Sequence, residues 1–353
     1  MSNLVLPAKG DFRLALLGHG FHLCALARKM VDRGFPKPLV VTHPRAEHER
    51  DRALLTDPRL HSDVFAVAAE LGLHLVELQS VNDPGLIDRI VADQYTAAFS
   101  LSCRSIVGVD FIRALGGRVF NLHPSMLPRE RGGGTFSWRI LGGSNEVSAS
   151  LHLIDAGVDT GPVLAQRRRD IGIARPIPAD FLAATNEIYI ELIDGFLDAV
   201  ERGIPLPFIP QDAAKATYLP RLYTETNGAI DWSWSAGQIE RFIRAFSDPY
   251  PGAFTFAGER RIAILAAELE PSGAEWHPYA AGRILARLAN GCVRVIARDN
   301  FLCIQRIAVD GKSLAPAEVL GDTDVLATPL NVLHAARIAV VPVRRMTTPG
   351  GPR

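Results

Sequence analysis

Residues 120–131 read FNLHPSMLPRER, and Gly132, Gly133 and Gly134 follow at once. Residues 118–122 are predicted to form a strand that stops where the prolines begin. Side chains two positions apart on a strand point to the same side. Asn121 and His123 are therefore expected to look into one cleft at a strand end. A loop broken by Pro124 and Pro128 and flanked by Arg129 and Arg131 follows them.

Upstream, strand-like and helix-like patterns alternate. Residues 12–17 (FRLALL) read as a buried strand ending in Gly18-His19-Gly20, and a helix follows to about Arg33, stopped by Gly34. Residues 39–42 form a second strand. The charged stretch 43–58 reads as a surface excursion. Residues 63–71 are helical in pattern, with Ser62 as N-cap and Gly72 as stop. Strands at 74–78 and 97–101 enclose a helix at 83–93, and a short helix at 111–115 precedes the opening strand. Such alternation predicts a mostly parallel α/β sheet with helices on both sides.

Downstream, 135–141 reads as helix, 148–154 as strand and 155–161 (DAGVDTG) as a turn-rich loop. A long amphipathic helix spans 181–202, and the Pro-rich run 204–210 (IPLPFIP) reads as a linker. Beyond Tyr218 come short strands at 254–256, 261–267, 282–286, 292–297 and 301–308, the pattern of a small β-barrel. The expected division is 1–203 for the α/β domain, 204–222 for a linker, 223–328 for the barrel and 329–353 for a tail. The tail has no evident place in either core, and its end, TTPGGPR, is expected to be disordered.

Lysine plus arginine equals aspartate plus glutamate, 38 against 38, so no global positive field draws the chain to nucleic acid. The four cysteines lack ligand-like spacing and read as free thiols in a reducing compartment. No run reaches the roughly 18 apolar residues of a membrane span, so the expectation is cytoplasmic with no membrane partner.

The Gly18-His19-Gly20 turn has Leu23 where a dinucleotide fingerprint needs its third glycine. It reads as a tight turn rather than a nicotinamide site. Gly132–Gly134 lack the GK[ST] of a phosphate loop and are expected to allow a close backbone approach. The arginines at 167–169 read as a solvated strand end. The ten histidines show no HExxH or HxH pattern, so no metal is expected.

NLHPSMLPRERG, together with IDAGVDTGPVL downstream, resembles the folate-dependent formyltransferases. Their pattern is Asn-x-His-x-Ser-Leu-Leu-Pro-x-x-Arg-Gly followed by a Leu-Asp-Thr-Gly-like loop. AIDWSWSAGQIERFIRAFSDPYPGAF is similar to the segment that opens the family's C-terminal barrel. The resemblance runs from about Phe12 to Leu326. It implies a Rossmann-like formyltransferase catalytic domain followed by an OB-like barrel, with 10-formyltetrahydrofolate as co-substrate, without a metal, and a small-molecule amine acceptor. Carried over by position, Asn121, His123 and Asp159 match the catalytic trio. Ser105, Ile106 and Val107 match the loop that holds the pterin. Asp155, Ala156, Gly157 and Val158 match the loop closing over the cofactor, and Gly133 is assigned to the same side. Met126 departs mildly from the family's Leu. Gly133, Gly134 and Thr135 stand where bulkier residues are common, which reshapes the acceptor side.

In such a trio Asn121 would donate to a developing oxyanion, a contribution of about 3–4 kcal/mol in comparable sites. His123 would relay protons or, charged, stabilise the oxyanion, and Asp159 would orient it. The stretch SLSCRSIV, the motif DPYPGAF and the mixed-charge HERDR all lean toward a nucleotide-linked amino sugar as acceptor rather than methionyl-tRNA. A catalytically idle folate-binding protein is the alternative from another class. The sequence leaves the oligomeric state open, a homodimer included.

Overall fold

The computed structural model describes residues 3–54, 60–273 and 275–339. In chain order come β1 (Asn3–Leu4), β2 (Leu14–Gly18), α1 (Phe21–Asp32), β3 (Leu39–Thr42), α2 (Arg45–Leu54), α3 (Val64–Leu71), β4 (Leu75–Glu77), α4 (Pro84–Ala92), β5 (Ala97–Leu101), α5 (Val109–Ala114) and β6 (Val119–His123). Then follow β7 (Arg131–Gly132), α6 (Thr135–Gly142), β8 (Glu146–Leu153), β9 (Val163–Asp170) and α7 (Pro178–Arg202).

Seven of these strands form one sheet in the order β4-β3-β2-β5-β6-β8-β9. The first five lie parallel, and β8 and β9 run antiparallel. The apolar runs of β2, β3 and β5 are buried along their whole length, as a sheet covered on both faces requires. One face packs on α1 and α7, where the Phe196 ring meets Phe12, Phe99 and Phe120 at centroid distances of 4.9–5.9 Å. The other face, with Ala15, Leu17, Val41 and Val119, packs on α4 and α5 through Leu86, Ile90 and Phe111.

Strand order reverses between β2 and β5, the place where open α/β sheets leave a crevice. There Gly18 is required: its φ is +118°, and a Cβ would lie 2.1 Å from the Leu101 carbonyl. The Gly18-His19-Gly20 segment is thus a tight turn pressed against β5.

Two local expectations change. Asp63, not Ser62, caps α3, because its Oδ1 accepts from the amides of Phe65 and Ala66 at 2.9 and 3.2 Å. The predicted surface excursion after β3 contains the helix α2, and both His43 and His48 are buried. The His48 Nε2 sits 3.0 Å from the His43 carbonyl and 3.2 Å from the Thr42 hydroxyl, so these polar groups are satisfied inside. The charges around them had suggested exposure. Residues 55–58 of that stretch lie outside the described residues.

After α7 come β10 (Leu206–Pro207), β11 (Tyr218–Leu219), α8 (Thr224–Asn227), α9 (Ala236–Ala245), β12 (Ala253–Ala257), β13 (Arg260–Glu270), β14 (Ile284–Arg287), β15 (Val293–Ile296), β16 (Phe301–Val309), β17 (Lys312–Leu314), α10 (Pro316–Val319), β18 (Leu326–Ala327) and α11 (Leu330–Ile338). An antiparallel sheet, β14-β15-β16-β13-β12-β18 with β17 on β16, curls into a half-barrel. A bridge between Arg283 and Val325 brings its end strands together. Irregular register between Ile264 and Ala267 marks a bulge in β13, the usual device for bending a strand. The amphipathic α9 fills the concave side with Ile239, Phe242, Ile243 and Phe246, its start fixed by a Ser235–Gln238 capping box.

Residues 204–222, read as a linker, are laid along the first sheet. β10 pairs with β1, Ile209 bridges Val163, and β11 pairs with β7 in parallel. The segment after Pro329, expected to lack a place in either core, begins with α11, which sets Val332, Leu333 and Ala336 against Ala229 and Phe254. The terminal TTPGGPR lies outside the described residues. Among the described residues no helix is long and apolar enough to cross a membrane. All four cysteines are free thiols.

Candidate active site

β6 delivers Asn121 and His123 at its carboxyl end on one face, as period-two geometry demands. Its antiparallel partner β8 places His152 opposite Asn121 and Ser150 opposite His123. The loop that follows β6 is clamped at Ser150. The Ser150 hydroxyl donates to the Ser125 carbonyl at 2.5 Å and accepts from Leu127 N–H at 3.1 Å and from Gln166 Nε2 at 2.8 Å.

His123 is buried, and each ring nitrogen has an acceptor before it. Nε2 donates to the Glu130 carbonyl at 2.7 Å, and Nδ1 lies 3.4 Å from Asp159 Oδ2. Since neither a carbonyl nor a carboxylate can donate, both nitrogens are placed to give a proton. The same Asp159 oxygen takes the Gly132 amide at 2.9 Å.

Asn121 donates from Nδ2 to His152 Nε2 at 3.0 Å, and His152 Nδ1 donates to the Leu153 carbonyl at 2.7 Å. That pairing assigns His152 as a neutral ring with its proton on Nδ1. Burial pushes its pKa down to about 4; the Asp159 carboxylate opposes this and the His123 ring reinforces it. The Asn121 amide is thereby fixed with one N–H on His152, and its second N–H is left for another acceptor.

Asp159 arrives on the loop between β8 and β9 with φ +54°. Ser102, Glu130 and Asp159 are three of five non-glycine residues with positive φ among the described residues, and all three lie on loops around this site. Such strain clusters where geometry is dictated by function. Asp155 holds the loop by accepting from Gly157 N–H at 3.0 Å and from the Thr160 hydroxyl. A Cβ on Gly157 would strike the Thr160 hydroxyl at 2.1 Å, and one on Gly161 the Leu153 carbonyl at 1.9 Å, so neither position admits a side chain. Ala156, Gly157 and Val158 form the exposed outer edge.

The Ser105–Val107 loop lies beyond the end of β5. Asn82 grips it through the Ile106 carbonyl at 2.8 Å and the Gly108 amide at 2.6 Å, while His43 accepts from Arg104 N–H at 2.8 Å. Ser105 is half-buried and the Val107 side chain points into the core. Ile106 and Val158 are 44% and 43% exposed, an apolar residue on each of two loops, as a flat apolar ligand would need. Gly133 is different. Its amide is bonded to the Leu219 carbonyl at 2.9 Å, and a Cβ there would meet Arg221 Cβ at 3.1 Å. The close approach it permits is to the protein's own chain.

Several positions that hold the trio and its loops escaped the sequence reading. His152 stood seven residues before Asp159 on an alternating strand, a signal that could have been weighed. Glu130, whose carbonyl holds His123, is itself gripped by buried Arg139 through Oε2 at 2.8 and 3.0 Å. Gln211 bonds the carbonyls of Asp159 and Gly161 at 2.9 and 2.6 Å and accepts from Arg131 at 2.8 Å. Thr217 accepts from Glu130 N–H at 2.8 Å. Nothing local to these residues distinguishes them from surface polar groups.

A cavity of about 250 Å³ is bounded by Pro124, Gly132–Ser137, Arg221–Glu225, Tyr250 and Pro251; none of the trio lines it, and it meets them through Pro124, next to His123, and Gly132, which is bonded to Asp159. A larger one of about 470 Å³, lined by Trp138, Trp234, Phe242 and Phe246, contains none of Asn121, His123 and Asp159. Among the described residues no group of three or more His, Cys, Asp or Glu is arranged to hold a metal ion.

Comparison with known proteins agrees with both halves of this architecture. Residues 21–175 match the formyl transferase family and residues 223–322 match the formyl transferase C-terminal domain. Among solved structures, the chain is similar to an N-formyltransferase from Helicobacter canadensis in complex with folinic acid and dTDP-3-aminofucose. The identity is 18%, over 83% of this chain and 98% of that one, with TM-score 0.60. HypX from Aquifex aeolicus in complex with tetrahydrofolic acid is 19% identical over 89% of this chain and 47% of its own, with TM-score 0.58. A sugar N-formyltransferase from a Shewanella species is 15% identical over 74% of this chain and 94% of its own, with TM-score 0.52. At these identities the structural likeness establishes the fold. The family matches on both halves establish the rest: this chain is a member of the formyl transferase family.

Proposed function

We propose that the protein is a 10-formyltetrahydrofolate-dependent N-formyltransferase whose acceptor is the primary amine of a nucleotide-linked amino sugar. The observation that carries this reading is the convergence of Asn121, His123 and Asp159, with one amide N–H of Asn121 uncommitted. The co-substrate supplies an activated formyl group on nitrogen. The acceptor amine forms a new C–N bond to the formyl carbon as the bond to the folate nitrogen breaks, and the amine proton ends on that nitrogen.

Asn121 acts by donating its second N–H to the carbonyl oxygen as charge develops there. His123, anchored by Glu130 and Asp159, supplies positive charge or a proton beside the same atom. Asp159 takes part through His123 and, once the amine has attacked, accepts its proton directly or through water. Ile106 and Val158 supply apolar contacts for the pterin. The mixed charge after β3, the SLSCRSIV stretch and the DPYPGAF motif support an amino-sugar acceptor, as does the dTDP-aminosugar bound by the Helicobacter relative.

The test is a panel of acceptors offered with the formyl donor. Formylation of nucleotide-linked amino sugars, lost in His123→Ala, supports the reading. Formylation of methionyl-tRNA alone overturns the acceptor. Donor binding with no turnover on any acceptor identifies a folate-binding protein instead.

A further inference from the structure

The cavity beside the trio differs in its two walls. One wall is Pro124, next in sequence to His123, and Gly132, whose amide holds Asp159, followed by the start of α6. The facing wall is Arg221–Glu225, from the segment that joins the two halves of the chain. Gly133 and Gly134 make this juxtaposition achievable. A Cβ on Gly134 would press on Leu222 N and the Pro220 carbonyl at 3.2 and 3.3 Å, and one on Gly133 on Arg221. The absence of side chains there lets residues 219–222 lie against the motif loop, which carries Arg221 and Tyr223 to the pocket.

Arg221 is the unusual member. It is exposed, and among the described residues it makes no ion pair with a carboxylate; it stands over the Tyr223 ring at 5.4 Å and its charge acts on the Tyr250 hydroxyl. Most other arginines about the site are engaged, Arg139 with Glu130 and Arg131 with Gln211. Tyr223 and Tyr250 add aromatic faces, and Glu225 adds a carboxylate with no ion pair among the described residues. At about 250 Å³ the cavity admits a single ring and not a whole nucleotide.

From this geometry we infer that the pocket receives the sugar ring bearing the acceptor amine, and that Arg221 pairs with the phosphate linking that sugar to its nucleoside. The assignment rests on the amino-sugar reading above. The apolar face of the sugar packs on a tyrosine ring, its hydroxyls reach Glu225, and its amine points toward His123. A planar guanidinium is suited to two phosphate oxygens at once. The nucleoside then lies outside the cavity, beyond Arg221.

The experiment is steady-state kinetics of the full-length wild type, Arg221→Ala and Arg221→Lys, on a nucleotide-linked amino sugar and on the free amino sugar. The matching nucleoside diphosphate serves as inhibitor. Loss of a charge-assisted contact is expected to raise the nucleotide-sugar KM roughly tenfold or more in Arg221→Ala and leave the formyl-donor KM unchanged. Arg221→Lys recovers part of the loss, and competitive inhibition by the nucleoside diphosphate disappears in Arg221→Ala. An unchanged nucleotide-sugar KM in Arg221→Ala, with normal wild-type turnover, overturns the pocket assignment and leaves the proposed function standing. A wild type that formylates methionyl-tRNA and no nucleotide sugar overturns both. Arg221 is exposed and makes no ion pair with a carboxylate among the described residues, so its replacement spares the fold.

Discussion

The Asn121 amide and the His152 ring lie 3.0 Å apart on neighbouring strands, with the amide as donor and Nε2 as acceptor. A carboxamide can turn end for end, which exchanges a donor for an acceptor at the proposed oxyanion position. His152 forbids that turn because its own proton is committed to the Leu153 carbonyl. Replacing His152 by Leu removes the acceptor and is expected to lower kcat about 10- to 100-fold through a misoriented amide. Donor affinity measured by fluorescence titration should not move. A loss of donor binding equal to the loss of rate would contradict the orienting role.

Asn121→Ala removes the donor itself. Loss of one preorganised oxyanion donor is expected to lower kcat by about 10²–10³ with little change in KM. Single-turnover rates measure this without interference from product release.

The buried guanidinium of Arg139, with its side chain 3% exposed, pairs with Glu130, and the Glu130 carbonyl in turn receives His123. Arg139→Met is expected to destabilise the protein by about 3 kcal/mol, the low end for removing one member of such a pair, because Glu130 keeps some solvent. Urea denaturation followed by circular dichroism checks the magnitude. Residual activity in this variant should fall further than the folded fraction does, since the support of the His123 anchor is gone.

Two buried histidines make stability depend on pH. Burial pushes both His22 and His152 down to about 4 from an ordinary 6.5. Between those values the unfolded chain binds the proton and the folded chain does not. Their stabilising effect is therefore complete above pH 6.5 and is lost as pH falls toward 4, at up to about 1.4 kcal/mol per unit for each residue. Thermal melts at pH 7 and pH 5 should show the drop, and His22→Gln should shrink it. An equal drop in that variant would rule out the His22 share.

Gly161→Ala would set a methyl group 1.9 Å from the Leu153 carbonyl and force the Asp159 loop outward. Overpacking of this kind costs about 1–3 kcal/mol, and here it falls on the residue pair that places Asp159. The expected result is at least a tenfold loss of kcat at moderate cost in Tm, read from kinetics and calorimetry together.

The parts of this molecule that were legible in the sequence are those with local causes. Strand β6 and its polar pair follow from alternation and the prolines, and α7 and the strands β12 to β16 follow from periodicity and turns. What was not legible depends on pairing between distant segments. The buried state of His43 and His48 is set by contacts among Thr42, His43 and His48 that the surrounding charges obscured. Arg139 looks like any helix-surface arginine until Glu130, nine residues earlier, turns its carboxylate back toward it. Gln211 and Thr217 sit in a stretch whose prolines suggest a tether, and only the parallel pairing of β11 with β7 reveals their role.

That pairing also changes what counts as the smallest working piece of the protein. Tyr218 and Leu219 stand in register with Arg131 and Gly132, and Gly132 carries the amide that holds Asp159. A fragment ending at Gly203 would keep every residue of the trio and still lack Gln211, Thr217 and the strand that braces their loop. Genetic cutting points drawn by sequence similarity would thus sever the loops that carry the trio from their own buttress. A fragment carried through Leu222 keeps the two together.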